Sequence, residues 1–577
     1  MKKVFLIVLL IFVQSVYTQH QKFSNSLNEV FSSKESYETV KVWVDFTDKG
    51  DNIDYLLQNP HLYLTPKSIE RRNLRGVLPV TDFSDLPVYE PYISEIKVNG
   101  GIIAQKSKWF NSVSVYLTKV QAQIIAGLPF VRNLSPVARL RVTSNLEQIQ
   151  TEIPGVANFT QRGNSIDYGN SLQQAEIVNL PPLHNQGLTG RGITIAVMDA
   201  GFNMLNHESF DSLSVLHTWD FVNNDPDVGN GADSGDGTHG TMVLSVIAGY
   251  KPGKLVGPAY GASYLLAKTE NTDSETPLEE DNWIAAAEWA DSLGADITST
   301  SLIYLDFDPP YQSYTWQDMD GNTAKITIGA GFAVKKGIAV FNAVGNYGFN
   351  PDRNTLGAPA DGDSVISIGG VNSAGVISTF SSVGLTVDGR IKPDVLAMGT
   401  AVYCAFPMST DFYTNASGTS LSCPMIAGIA ALLLENQPGL TPIQLRGKLR
   451  ETASNSSPDR IYGWGIVNAL AALEYNPLSV KENSLNGTKF ALMDVFPNPV
   501  KFDASGINIS IEIEEAGNYE LNLFSSTGEL ISSISKGELV TGNYNFYLSQ
   551  KNLSSGVYFI RLLGEKNSKT IKTVILK

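Results

Sequence analysis

Gly192-Ile193-Thr194-Ile195-Ala196-Val197-Met198-Asp199-Ala200-Gly201 is almost unbroken in apolar character until it ends on an acid and a glycine. A strand reads this way when neither of its faces meets water, as in a parallel sheet covered by helices on both sides. Ligands and chemistry gather outside the carboxyl ends of such strands, which is where Asp199 falls. Taken alone, an aspartate there is better read as a loop cap, so its meaning depends on the rest of the chain.

Downstream, Asp236-Gly237-Thr238-His239-Gly240-Thr241 precedes Met242, Val243, Val246, Ile247 and Ala248 at helical spacing. Its glycines let backbone and substrate approach the imidazole closely. Of six histidines, only His239 has a glycine-rich setting; His20, His61, His184, His207 and His217 sit in ordinary mixed sequence. His207-Glu208 does not begin a zinc helix, because Asp211 stands where the second histidine is needed. Further on, Gly418-Thr419-Ser420-Leu421-Ser422-Cys423-Pro424-Met425-Ile426-Ala427-Gly428 puts a hydroxyl between a glycine turn and an apolar helical run. Unpaired N–H groups and the positive end of the helix dipole at such a start stabilise a developing oxyanion. Neutral serine is a poor nucleophile, so an imidazole must take its proton and a carboxylate must orient that imidazole. Asp199, His239 and Ser420 supply these groups in the order Asp, His, Ser.

In these three segments the chain resembles the subtilisin-like serine peptidases (subtilases). Ala343-Val344-Gly345-Asn346, Ser378-Thr379-Phe380-Ser381-Ser382 and Lys392-Pro393-Asp394-Val395 add to the match, which runs from about Asn170 to about Leu473. The resemblance implies an α/β domain with a parallel sheet and helices on both faces. It makes Ser420 the nucleophile, His239 the general base and then acid, and Asp199 the orienting carboxylate. Asn346 would donate its side-chain amide to the oxyanion beside the Ser420 N–H. Ser301-Leu302-Ile303 matches the edge that pairs with an extended substrate, with Gly345 in the same substrate-binding set; a plain core-strand reading of 301–303 stays open. The family usually has glycine where Ile303 stands, and this departure narrows the primary pocket or tilts its wall. No organic cofactor is required for the chemistry. Structural calcium is common in the family but not established here: the stretch Asp220 to Asp236 is rich in Asp, Asn and Gly yet lacks calcium-loop spacing.

The chain has 577 residues, enough for three or four folded units, and 43% hydrophobic residues, enough for real cores. A formal net charge of −15 with no basic stripe argues against nucleic acid as a partner. Residues 1–19 carry two lysines, a short apolar run and a polar exit, the pattern of a secretory signal peptide. No later apolar stretch is expected to span a bilayer, so the chain reads as exported. Of its two cysteines, Cys404 and Cys423, neither is the nucleophile; a bridge and two buried thiols are equally open.

Residues 20–165 alternate strand and helix patterns: Val40 to Phe46, a proline-started helix after Thr65, Ser112 to Leu117, a helix from Thr118 to Ala126, then Val131 to Val142. This small α+β region resembles a subtilase propeptide and ends in a polar processing linker, Thr143 to Asp167. The peptidase domain is expected over 166–474, with amphipathic helices at Trp283 to Leu293 and Ala330 to Lys336. A linker over 475–490 leads to residues 491–577, where short alternating strands (Ile507 to Ile513, Tyr519 to Phe524, Tyr544 to Leu548, Val557 to Leu562) predict a small β-sandwich. Phe496-Pro497-Asn498-Pro499, Leu553 to Tyr558 and the closing Lys572 to Lys577 resemble the C-terminal sorting domains of the type IX secretion system. The sequence therefore predicts a secreted or cell-surface serine endopeptidase acting on proteins or peptides, with the secretion machinery as partner. An esterase or a catalytically silent binding protein on the same fold are the rivals. As His239 must be neutral to act, the rate is expected to rise as pH passes its pKa near 6–7.

Overall fold

The computed structural model describes residues 22–137, 165–229, 237–475 and most of 490–576, apart from short segments within them. The predicted signal peptide and most of both linkers lie outside the described residues. Contacts divide the chain into two units, Met1–Asn476 and Pro477–Lys577.

The first unit opens with a four-stranded antiparallel sheet of β1 (Val40–Phe46), β2 (Ile102–Ser107), β3 (Ser112–Leu117) and β4 (Val131–Pro136) in the order β2-β3-β1-β4. Among the helices of this region, two begin at caps the sequence marks. In α1 (Pro66–Leu74) Thr65 Oγ1 accepts from the Ser68 N–H and Pro66 occupies the first turn. In α2 (Lys119–Ala126) Thr118 and Gln121 form a reciprocal capping box. Val42, Val44, Val113, Val115, Ile125 and Leu134 close a core of their own. The alternating segments and caps appear where the sequence put them, except that β4 ends at Pro136 and residues 138–142 of its expected span lie outside the described residues; β2, broken by a bulge at Ile103/Gln105, did not stand out.

Then come seven strands, all parallel: β5 (Thr194–Asp199), β6 (Ser214–Asp220), β7 (Ser263–Lys268), β8 (Ile297–Thr300), β9 (Ala339–Ala343), β10 (Ile366–Val371) and β11 (Val395–Met398). Their order is β11-β10-β9-β8-β5-β7-β6. Alternate residues serve opposite cores. Ile195 and Val197 of β5 join Tyr264 and Leu266 of β7 on the face covered by α3 (Thr238–Ala248) and α6 (Thr419–Asn436). Ala196, Met198, Leu265 and Ala267 point to the other face, under α4 (Glu279–Leu293) and α5 (Lys325–Lys335). Covering both faces is what makes these strands apolar throughout.

Two expectations need correction. The helix α4 is not amphipathic toward solvent: Glu279, Glu280, Asp281, Asn282, Glu288 and Asp291 are buried along with its apolar residues. The N-terminal sheet covers its outer side, with Ser114 and Gln105 bonding Asp281 and Asn282, and Ser107 bonding Glu288 at 2.5 Å. Second, α6 is long and apolar enough to cross a bilayer, contrary to expectation, but 83% of it is buried. It packs against β8, β9, β10 and β11 as a core helix.

The second unit is a β-sandwich. One sheet orders β12 (Phe490–Phe496), β14 (Ile507–Ile513) and β17 (Gly542–Leu548). The other runs β13 (Val500–Lys501), β19 (Ser568–Leu576), β18 (Gly556–Leu563), β15 (Gly517–Ser525), β16 (Leu530–Leu539). Ile507, Ile509, Ile511 and Ile513 of the first face Leu521, Leu523, Ile560 and Leu562 of the second.

Candidate active site

The order of the parallel sheet reverses at β5, with β7 and β6 on one side and β8 to β11 on the other. A crevice opens at the carboxyl ends of strands at such a switch point. Asp199 ends β5, Ser301 follows β8, and Asn346 follows β9 by three residues. His239 and Ser420 lie in the first turns of α3 and α6, which pack on one another. Gly240 makes the close approach of α3 obligatory, because a β-carbon there would lie 2.1 Å from the Gly201 carbonyl oxygen and 3.1 Å from Asp199 Cβ. The glycine beside the histidine therefore seats the helix on the aspartate.

Asp199 is fully buried and its Oδ1 accepts from His239 Nδ1 at 2.6 Å and from the Ala200 N–H at 2.8 Å. The imidazole is 28% exposed and open to the crevice. Loss of water around the ring works against its protonation, but the Asp199 charge and hydrogen bond, with the Glu270 charge, outweigh this and raise its pKa above the ordinary 6.5. Glu270, just past β7, was not singled out from the sequence. Burial pushes its pKa up to about 7, against hydrogen bonds from Tyr304 and Thr269, while the Asp199 charge adds to the rise and His239 opposes it. Tyr304 donates to Glu270 Oε1 at 2.5 Å and Thr269 at 2.8 Å. Only the approach of β7 to β5 brings this acid near, so local sequence gave no signal.

Ser420 Oγ donates to the Ser301 carbonyl at 3.3 Å, and Ser301 Oγ donates back to the Ser420 carbonyl at 2.7 Å. The Asn346 amide is oriented by Thr419, whose N–H and Oγ1 both donate to Asn346 Oδ1, at 2.9 and 3.1 Å. That fixes Nδ2 on the opposite side, toward Ser420. A β-carbon on Gly418 would stand 3.6 Å from Asn346 Nδ2, 3.7 Å from Ser420 N and 3.7 Å from Ser420 Oγ. Two donors and one hydroxyl thus converge on the bare face of Gly418. Thr419 is a second residue that sequence reading passed over, although it adjoins the serine.

The segment after β8 is held from behind: Asn342 Nδ2 donates to the Leu302 carbonyl at 2.9 Å, and Tyr304 pairs with Ala358 through two backbone bonds. Among the described residues the Ile303 backbone makes no hydrogen bond. The structure thus brings Asp199 to His239, and Ser301 and Asn346 to the residues around Ser420. Gly345, with φ of +107°, accepts from Thr419 Oγ1 at 3.2 Å.

Cys404 and Cys423 are both free and buried, and burial raises each thiol to about 12. His207 bonds Ser209 and the Phe412 carbonyl, and His184 bonds Tyr168 and the Pro258 carbonyl, so both are structural. Among the described residues no three ligands gather for a metal. Asp220 does not suit calcium, since one oxygen accepts from Val222 and Asn223 and the other pairs with buried Lys268 at 3.1 Å.

Three family models match the chain: the Subtilase family over residues 190–465, a Bacteroidota Peptidase S8 propeptide domain over 41–152, and a secretion system C-terminal sorting domain over 494–577. Subtilisin NAT of Bacillus subtilis subsp. natto is 33% identical over 312 residues, 54% of this chain and 72% of that one. Subtilisin of Bacillus pumilus is 33% identical over 313 residues, 54% of this chain and 99% of its own. Among solved structures, fervidolysin from Fervidobacterium pennivorans, a keratinolytic enzyme related to subtilisin, shares the fold at a TM-score of 0.55 and 20% identity, covering 92% of this chain and 71% of its own. The chain accordingly belongs to the subtilase family: it is a subtilisin-like serine endopeptidase with a propeptide, exported by type IX secretion through its C-terminal sorting domain.

Proposed function

We propose that this peptidase cleaves proteins through an acyl-enzyme on Ser420, with His239 as base and Asp199 as its orienting carboxylate. Asn346 Nδ2 and the Ser420 N–H bind the oxyanion, and Ser301 to Ile303 with Gly345 receive the extended substrate. Domain limits follow: signal peptide 1–19, propeptide and linker 20–165, peptidase 166–474, linker 475–490 and sorting sandwich 491–577.

The convergence of Asn346 Nδ2, Ser420 N and Ser420 Oγ on the bare face of Gly418 carries this reading. A carbonyl carbon at Ser420 Oγ with its oxygen between the two nitrogens meets both requirements of acyl transfer at once. The attack moves the Ser420 proton to His239 Nε2, and the imidazolium is stabilised by Asp199 at 2.6 Å. The C–N bond then breaks, and the departing amine takes that proton. Water attacks the acyl ester next, gives a proton to His239, and releases the acid as Ser420 recovers its own. Before substrate arrives Ser420 Oγ rests on the Ser301 carbonyl through a long, weak bond, which turning toward His239 gives up at small cost. Ile303's unpaired backbone supports strand addition by the substrate.

The test is labelling of processed protein by a fluorophosphonate, with Ser420→Ala alongside and casein digestion in the same samples. Joint loss of both signals in the variant is the expected result. Labelling without digestion would indicate an esterase or a narrow peptidase, and silence of both after propeptide removal would defeat the reading.

A further inference from the structure

On the proposed reading, the acyl-side residue of the substrate puts its side chain between the two segments that converge on Ser420. One segment is Ser301 to Ile303, joined to Ser420 through the paired Ser301 hydrogen bonds. The other is Gly345-Asn346, joined to the same turn through Thr419. Gly357 closes the far end, its N–H donating to the Val344 carbonyl at 3.3 Å. In this chain that space is not empty. A β-carbon on Gly345 would lie 2.7 Å from Ile303 Cδ1, and one on Gly357 would lie 2.7 Å from Ile303 Cβ and 2.8 Å from Cδ1. Ile303 is therefore in contact with the bare α-carbons of both glycines and spans the gap between them.

The side chain is held there. The Leu302 carbonyl is bonded to Asn342 on one side of Ile303, and Tyr304 is stitched to Ala358 on the other. Tyr304 is fully buried with its hydroxyl on Glu270, so the segment has no slack with which to swing Ile303 out. Displacing a packed, β-branched side chain also disturbs its few allowed rotamers.

From this packing we infer that Ile303 is the specificity-determining plug of the acyl-side pocket, and that the enzyme cleaves after small residues and excludes aromatic ones. A methyl group fits over Ile303, while a benzyl group requires the volume Ile303 fills. The inference deepens the proposed peptidase function and rests on it.

The experiment compares kcat/KM for succinyl-Ala-Ala-Ala-Ala and succinyl-Ala-Ala-Ala-Phe p-nitroanilides, using processed enzyme titrated with the fluorophosphonate. Wild type should favour the Ala substrate by at least about tenfold, within the range a pocket misfit commands. Ile303→Gly should raise the Phe-to-Ala ratio of kcat/KM by at least about tenfold. Should Ile303→Gly fail to label for want of folding, Ile303→Ala decides by a ratio shift in the same direction. A labelled wild type that takes Phe as readily as Ala overturns the inference and spares the peptidase reading, as does a labelled variant with an unchanged ratio. A wild type that does not label and cuts neither substrate overturns both.

Discussion

The crevice at the strand ends and the Asp291 cluster on the covered side of α4 both bury carboxylates, but they treat the proton in opposite ways. In the crevice Asp199 has one imidazole partner, His239 is raised above its ordinary pKa, and Glu270 sits at about 7. Under the N-terminal sheet Asp281 and Asp291 are met by fixed cations. Asp291 takes Arg71 at 2.6 Å, Arg72 at 2.8 Å and Lys108 at 3.2 Å; Lys41 meets Asp281 at 2.9 Å. Burial alone would raise Asp291, yet Lys108, Arg71 and Arg72 hold it well below the usual carboxylate range. One region keeps protons near neutrality so that they can move, and the other pins charge so that two domains stay registered. A buried acid's function is thus read from how many cations face it, more than from its depth.

Asp199→Asn attacks the mobile-proton side most directly. With the carboxylate gone, the imidazole loses its orienting acceptor and kcat should fall about 10⁴-fold in peptide hydrolysis. A loss below about tenfold would remove Asp199 from the machinery. On the pinned side, Asp291→Asn leaves Arg71 buried without its counterion, while Arg72 keeps Asp85 at 2.8 Å. Removing one partner of a buried pair costs about 3–5 kcal/mol, to be read as weaker affinity of the propeptide for the processed enzyme. Because the Asp291 pKa is depressed in the docked state, its contribution is present above the free aspartate value and lost as pH falls through the docked one. Acid should therefore loosen the propeptide, and affinity independent of pH down to 3 would contradict the pinned-charge account.

Asn346→Leu removes the proposed oxyanion donor and should lower kcat about 10²–10³-fold with KM little changed, the range such donors carry in serine peptidases of this family. A KM effect with kcat preserved would make Asn346 a substrate-binding residue instead. The smallest effect is a shift. The acid limb of kcat/KM should have its midpoint above the ordinary histidine value of 6.5, since the proposed base His239 acts neutral and its pKa is raised. Glu270→Gln takes away a negative charge that favours the imidazolium, so the midpoint should move down; a midpoint that rises would reverse the electrostatics drawn here.

Much of this was legible in the chain because backbone geometry demands particular residues locally. Asp199 at the end of an unbroken apolar strand, and the glycines beside His239, are local signals visible in any short window. Val40 to Phe46 and Ile507 to Ile513 announced themselves by alternation and appear with those bounds. Asp281 and Asp291 did not, because their partners Lys41, Arg71, Arg72 and Lys108 lie some two hundred positions earlier. A helix with acids on one side reads as solvated until a second domain covers it. Glu270 escaped notice for the same reason. Ile303 was visible as a departure, but its direction, inward against Gly345 and Gly357 rather than tilting a wall, needed three separated segments to be seen together.

The helix α6 has one more implication, which concerns time. It packs on four strands of the central sheet and carries Ser420 at its start, while Asp199 and His239 come from segments made long before it. On the proposed roles, until residues up to Asn436 have left the ribosome and joined the sheet, the histidine–aspartate pair has no nucleophile beside it and the sheet lacks one of its covers. The growing chain is thereby unable to digest itself or its neighbours during synthesis, a safeguard written into the order of its segments.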